Sequence, residues 1–299
     1  MERYSNEQAW DEAQKIYENA KNKGSKNSSS GDLEVADKGI TQKQKIDIKN
    51  TEEYNKNSEF WAYGDKPTVM GDYLGRIPSA KLFEAKAGEK ILDAGCGAGF
   101  MSRIYARQGA EVVGCDRAEG MLKQATAEEE KNHLGIKYVS SDITNLNFEN
   151  EQFDAVSCVA VLIHDSPEEC QKFFDESFRV IKPGGRMIVS IMHPYLFDPE
   201  SPSRNQKAGW VQYDPIDGKP MTESQSFNEI YKNSTGKEFT STVWYHPEKS
   251  FLEQIKKSGF HIAQTQSMHV TPESLKQSNQ EGEVDYPAFY QVLAIKESK

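Results

Sequence analysis

From residue 88 onward, short apolar runs alternate with longer stretches whose apolar positions recur every three or four residues. Short runs bounded by glycine, proline or polar residues fit buried strands, and amphipathic stretches fit helices laid against them. This pattern predicts strands near 90–93, 111–115, 136–139, 153–158 and 186–192, with a final strand at 289–295. A helix is predicted over 100–106. Another opens at Ser166-Pro167-Glu168-Glu169, where serine can cap, proline suits the first turn and Glu169 completes a capping box. A third lies near 248–258, with Phe251, Leu252 and Ile255 on one face and Gly259 at its end. Lys182-Pro183-Gly184-Gly185 reads as a turn into the fifth strand. Alternating strands and helices imply an α/β fold, a parallel sheet with helices on both faces.

The flanks differ from this middle. Residues 1–80 read as an N-terminal helical or cap segment, with a helix expected over 3–20 and a flexible linker at about 21–50 that is rich in small polar residues. Aromatic residues return at Tyr54, Phe60, Trp61, Tyr63 and Tyr73; they suit either a cover for one end of the sheet or a lid over a ligand. Residues 81–299 form the main domain, interrupted by an insertion at about 195–243 that carries Tyr195, Phe197, Trp210, Tyr213, Phe227, Tyr231 and Phe239. A connection of that length in a compact domain commonly serves function, here the substrate side of a pocket.

Charge narrows the partners. The 299 residues carry a formal net charge of −10, which gives no attractive field for nucleic acid or an anionic membrane. The longest apolar run, Val156 to Ile163, is far too short to cross a bilayer, and the start of the chain is too polar for a secretory signal, so a cytoplasmic protein is expected. Cys96, Cys115, Cys158 and Cys170 form no Cys-x-x-Cys pair and read as reduced core residues, with no metal site expected.

The chemistry concentrates in Asp93-Ala94-Gly95-Cys96-Gly97-Ala98-Gly99, between the first strand and its helix. Glycines there permit a tight turn and close approach of backbone to ligand, and a helix N-terminus follows. A dinucleotide fingerprint begun at Gly95 would need glycine where Phe100 stands. Glu111-Val112-Val113-Gly114-Cys115-Asp116 ends a second strand in an acid 19 residues after Gly97, placed to accept the hydroxyls of a ribose. Further elements follow in order: Tyr138-Val139-Ser140-Ser141-Asp142-Ile143, Phe153-Asp154-Ala155-Val156-Ser157-Cys158, and Val180-Ile181-Lys182-Pro183-Gly184-Gly185.

This series, spanning about residues 85–195, resembles the class I (Rossmann-like) S-adenosylmethionine-dependent methyltransferases of small-molecule type. The resemblance implies a three-layer sandwich with a mostly parallel seven-stranded sheet. It also implies S-adenosylmethionine as cofactor and S-adenosylhomocysteine as product. Carried over by position, Asp93 orients the turn and the methionine amino group, and Gly95, Cys96, Gly97 and Gly99 cradle the ligand. Asp116 holds the ribose, Arg117 and Met121 flank the adenine, Asp142 accepts from the adenine amino group, Ile143 packs on the ring, and Cys158 lies under the methyl donor. Arg117 departs from the small or apolar residue usual after this acid.

Methyl transfer needs an acceptor atom aligned with the donor in a site that excludes water. His164 and His193, following the fourth and fifth strands, are the candidate bases. The expected reaction moves a methyl group to an O, N or C atom of a small-molecule acceptor, by a monomer or homodimer. An RNA or protein methyltransferase and a non-catalytic cofactor-binding module are the alternatives.

Overall fold

A computed structural model describes residues 41–59, 75–194, 211–213, 223–232, 238–270 and 286–298. The helix expected over 3–20, and the aromatics Phe60, Trp61, Tyr63, Tyr73, Tyr195, Phe197 and Trp210, lie outside the described residues. The chain enters through helices α1 (Gln42–Lys56) and α2 (Ile77–Phe83), then alternates: β1 (Lys90–Ala94), α3 (Phe100–Arg107), β2 (Glu111–Asp116), α4 (Glu119–Asn132), β3 (Lys137–Ser140) and β4 (Phe153–Val159). A single 3-10 turn (Leu162–His164) leads into α5 (Pro167–Val180) and β5 (Ile181–Met192). Three short strands follow, β6 (Val211–Tyr213), β7 (Ser226–Lys232) and β8 (Glu238–Trp244), then α6 (Glu248–Lys257), β9 (His261–Val270) and β10 (Tyr286–Ile295).

The main sheet has seven strands in the order β3-β2-β1-β4-β5-β10-β9. Its first five strands are parallel, and β10 runs antiparallel to both neighbours. This is the three-layer α/β architecture expected. Two apolar layers cover the sheet. On one face, Phe173 and Phe174 of α5 meet Phe251 of α6, the latter two rings edge-on at 5.4 Å. On the other, Phe83 of α2 packs on Tyr105 of α3 at 5.0 Å between ring centroids.

Three local expectations change. The linker expected at about 21–50 is helical from Gln42 onward, and Asn50 within it is 1% exposed. Lys182–Gly185 is not a separate turn but the irregular start of β5. There the register with β4 jumps from Phe153↔Ile181 to Ala155↔Arg186, and Gly184 takes a φ of +80°. The insertion contains an antiparallel sheet, β6-β7-β8, which the mixed aromatic and polar sequence does not announce.

The helix start predicted at Ser166 is present: Ser166 caps α5, and the Glu169 side chain accepts from the Ser166 backbone N–H at 2.8 Å. This box fixes where the chain turns from the ligand edge of β4 into α5. Ser166→Ala should lower stability by about 0.5–2 kcal/mol in urea unfolding, with the slope unchanged. A midpoint equal to that of the wild type would show that the cap contributes nothing.

Candidate active site

All parallel strands end at one edge, and the glycine turn lies there, as ligand sites in open α/β sheets do. Gly95 and Cys96 donate their backbone N–H groups to the Cys115 carbonyl at 2.8 and 2.9 Å, which folds the turn back over β2. Gly95 has φ +71°, and a Cβ there would lie 2.5 Å from Val161, so the turn and the segment after β4 touch at this point. Around Gly97 a Cβ would meet only Met121 Cε, at 3.2 Å; the outer side of the turn is open to a ligand. Gly97 N–H itself points to β2 and donates to Asp116 Oδ2 at 2.8 Å.

Carboxyl groups stand at the ends of three neighbouring strands. Asp93 is 2% exposed and accepts from Ser102 Oγ at 2.5 Å. Burial pushes its pKa up to about 6, against the pull of the Ser102 hydrogen bonds. Asp116 accepts from Gly97 N–H and, through Oδ1, from Ala118 N–H at 2.8 Å. Burial raises its pKa and those two amides oppose the rise. Each carboxylate oxygen has two lone pairs, so both retain one for a diol. Asp142 Oδ1 accepts from the backbone N–H and hydroxyl of Thr144, both at 2.8 Å, which presents Oδ2 outward. An open glycine turn after β1, followed across the sheet edge by carboxylates after β2 and β3 with free lone pairs, fits the adenosine end of S-adenosylmethionine.

Helix α1 lies across this edge as a strap. Lys43 pairs with Glu169 at 2.7 Å, and Asp47 approaches Arg117 at 3.8 Å. The Asn50 amide exchanges two 2.9 Å hydrogen bonds with the backbone of Thr242 on β8. Tyr54 packs on Ala98, Ala118 and Met121, and the Asn55 side chain accepts from Gly120 N–H at 2.7 Å. Of the aromatics ahead of the first strand, Tyr54 therefore serves as cover for the turn.

The structure separates the two candidate histidines. His164 lies 2.8 Å from the Tyr54 hydroxyl through Nε2 and 3.3 Å from the Thr242 carbonyl through Nδ1. A carbonyl only accepts, so Nδ1 carries the proton and the Tyr54 hydroxyl donates to Nε2. Burial pushes the His164 pKa down to about 4, which keeps it neutral. With both nitrogens engaged, His164 is not the open base expected of it; it orients Tyr54. His193 is tied elsewhere: its backbone N–H donates to the Ala288 carbonyl at 2.8 Å and its ring meets Tyr290 edge-on at 5.9 Å. Burial lowers its pKa, with Glu248 opposing.

Other assignments also shift. Cys158 is wholly buried in the core with Cys115 and Cys170, so its side chain has no surface for a cofactor. Cys96 sits in the turn itself, 8% exposed, and Ile143 is buried with Leu146. All four thiols are free. Met121 is buried beside Gly97, and Arg117 stands among Asp165, Asp47, Asp142 and Glu169, which raise its pKa against the effect of burial. Residues that the sequence does not single out are Asn50 and Asp165, because only the fold brings them to this edge. No group of metal-ligating side chains occurs among the described residues, and no described helix is long and apolar enough to cross a membrane.

A buried acid whose pKa rises on folding binds its proton more tightly when folded. Asp93 therefore costs stability as pH rises from about 4 to 6, and that cost is complete above 6. Asp93→Asn should flatten this limb of the stability curve and leave the protein at least as stable at pH 7.5, while weakening donor binding. Calorimetric melting from pH 4 to 7.5 checks it; an unchanged limb would contradict the burial argument.

The chain is similar to known proteins over its central part. A family described as "Methyltransferase domain" matches residues 92–189. A demethylmenaquinone methyltransferase from Clavibacter sepedonicus is 36% identical over 125 residues, 41% of this chain and 49% of that protein. A ubiquinone biosynthesis O-methyltransferase from Coxiella burnetii is 33% identical over 36% of this chain and 44% of its own length. The chain thus spans about half the length of the curated relatives it matches. The crystal structure of an S-adenosylmethionine-dependent methyltransferase from Mesorhizobium loti superposes with a TM-score of 0.56 at 23% identity, covering 73% of this chain and 95% of that one. Residues 92–189 thus match a methyltransferase domain, and the fold is that of a solved S-adenosylmethionine-dependent methyltransferase.

Proposed function

We propose that this protein transfers a methyl group from S-adenosylmethionine to a small-molecule acceptor. The observation that carries this reading is the row formed by the open glycine turn after β1, Asp116 at the end of β2 and Asp142 after β3. Asp116 holds the ribose hydroxyls, Asp142 takes the adenine amino group, and Asp93 fixes the turn through Ser102. When bound, the donor supplies a methyl group on a cationic sulfur; the protein supplies alignment and a dry site. Demethylmenaquinone and ubiquinone biosynthesis stand in the names of relatives, which favours a metabolite as acceptor. The net charge of −10 favours it over nucleic acid. The reading includes a cytoplasmic monomer or homodimer.

Tyr54 and His164 act together at the mouth. The Tyr54 proton is directed to His164 Nε2, so toward an acceptor N–H or O–H the phenol oxygen acts by accepting. His193, beside β10, lines the acceptor side further out.

Asp116→Ala should weaken binding of S-adenosylhomocysteine by on the order of 1–3 kcal/mol in calorimetry, through lost charge-assisted hydrogen bonds. Unchanged affinity would remove Asp116 from the ribose. With methyl-labelled donor and a panel of metabolites, label should enter a small molecule; label confined to RNA or protein would overturn the acceptor class. With the true acceptor, Tyr54→Phe should cut kcat roughly tenfold or more while donor affinity stays near wild type. Equal kcat would exclude the Tyr54 hydroxyl from acceptor alignment.

A further inference from the structure

Below the glycine turn, a line of buried polar groups runs from the end of β1 into the layer between β4 and α3. Asp93, Ser102, Tyr105 and Ser157 are each 2% exposed or less. Ser102 Oγ donates to Asp93 Oδ2 at 2.5 Å. Ser157 stands opposite Asp93 in the register of β1 with β4, and its hydroxyl hydrogen-bonds to the same carboxyl group. The Tyr105 hydroxyl, from the last turn of α3, lies 2.8 Å from Ser157 Oγ. A carboxylate only accepts, so Ser157 donates to Asp93 and accepts from Tyr105 in turn.

Packing alone does not call for these groups. Buried hydroxyls and carboxyls cost more free energy than apolar groups of the same size unless they are fully paired. The Tyr105 ring already packs on Phe83, at 5.0 Å between centroids, and that contact needs no hydroxyl. Every hydrogen bond in the line is directed toward Asp93, which opens the glycine turn. S-adenosylmethionine carries an ammonium and a sulfonium group at its methionine end. A buried carboxylate attracts such cations strongly, because little water screens it.

We infer that Tyr105 and Ser157 are positioning residues of the methyl-donor site: from beneath the turn they orient the Asp93 carboxylate and hold it as the anion that receives the cationic methionine end of S-adenosylmethionine. The inference rests on the methyl-donor reading above. Both residues act through Asp93 and neither needs to touch the ligand. Burial pushes Asp93 up to about 6, reinforced by Asp116, and the hydrogen bonds from Ser102 and Ser157 oppose the rise.

The other groups around Asp93 come from the turn, β2, β3, β4 and α3. The thiols of Cys96 in the turn, Cys115 on β2 and Cys158 on β4 are pushed up by burial, Cys115 to about 12, and stay protonated. Burial likewise pushes up the phenols of Tyr105 on α3 and Tyr138 on β3. Asp116 is raised from 3.8 by burial, against the amides of Ala118 and Gly97. The Arg103 guanidinium donates to the Ala98 carbonyl of the turn at 2.7 Å. Asp165, raised to about 7 by burial, titrates between pH 6 and 8, but it does so in wild type and variants alike.

The test is calorimetric binding of S-adenosylhomocysteine, which keeps the ammonium group, to the full chain at pH 6 and pH 8. With fewer hydrogen bonds the Asp93 anion is less stable, so it takes up its proton at a higher pH and affinity is lost earlier as pH falls. Both variants Ser157→Ala and Tyr105→Phe should bind like wild type at pH 8. At pH 6, Ser157→Ala should bind about fivefold more weakly than wild type, and Tyr105→Phe about twofold. Asp93→Asn cannot become an anion and should bind about tenfold or more weakly at pH 8. A cooperative melt at pH 8 shows that a variant is folded; if one of the two is not, the other decides. Wild-type affinity of the folded variants at pH 6 overturns the inference. An equal loss at both pH values also overturns it, because that marks a purely structural role, as does Asp93→Asn binding like wild type at pH 8. These outcomes leave the methyl-donor reading standing; failure of the wild type to bind S-adenosylhomocysteine at either pH overturns both.

Discussion

The hydrogen bond from Gly97 N–H to Asp116 is the constraint on which the site depends. It ties the turn after β1 to the end of β2, and the two Cys115 carbonyl bonds close the same loop from below. With its amides spent inward, the turn leaves a bare glycine surface outward, and the carboxylate keeps lone pairs for a second partner. The same bond therefore shapes the cradle and orients the carboxylate proposed to hold the ribose. Burial sets its cost: Asp93, Asp116 and Asp165 all have raised pKa values because they sit where water is excluded. Such instability concentrated at a ligand edge is the usual trade of stability for function.

Helix α1 turns this edge into an enclosure. It touches the loop after β2 through Arg117 and Gly120, the start of α5 through Glu169, and β8 through Asn50. Thr242 is the shared node, since its carbonyl accepts from both Asn50 and His164. The small sheet, the strap and the segment after β4 are thereby joined through one peptide unit. His164 gains a defined tautomer from that node, and Tyr54 gains its orientation from His164.

Much of this is legible in the sequence because period and turn chemistry are local. The runs ending at Asp93 and Asp116 are short, apolar and bounded by glycine or acid, so strand ends and the acids that stand at them can be placed together. The capping box at Ser166 is equally readable. What escapes the sequence is non-local. The stretch 42–50 is mostly polar, and the helix there is held by partners far along the chain, above all Asn50 with Thr242, 192 residues away. His164 can be placed at a strand end, but its role depends on Tyr54 and Thr242, which no spacing announces. Cys158 shows the opposite error: its strand is placed correctly, but its side chain faces the core rather than the site.

The central claim is that the turn at 95–99, the ends of β2 and β3, and the α1 strap form one donor site. Hydrogen–deuterium exchange with and without S-adenosylhomocysteine tests it directly. The account predicts joint protection of the turn, of residues 116–121 and 142–144, and of α1, with the outer strand β9 unchanged. Protection that misses the turn, or that falls on β9 instead, would contradict it.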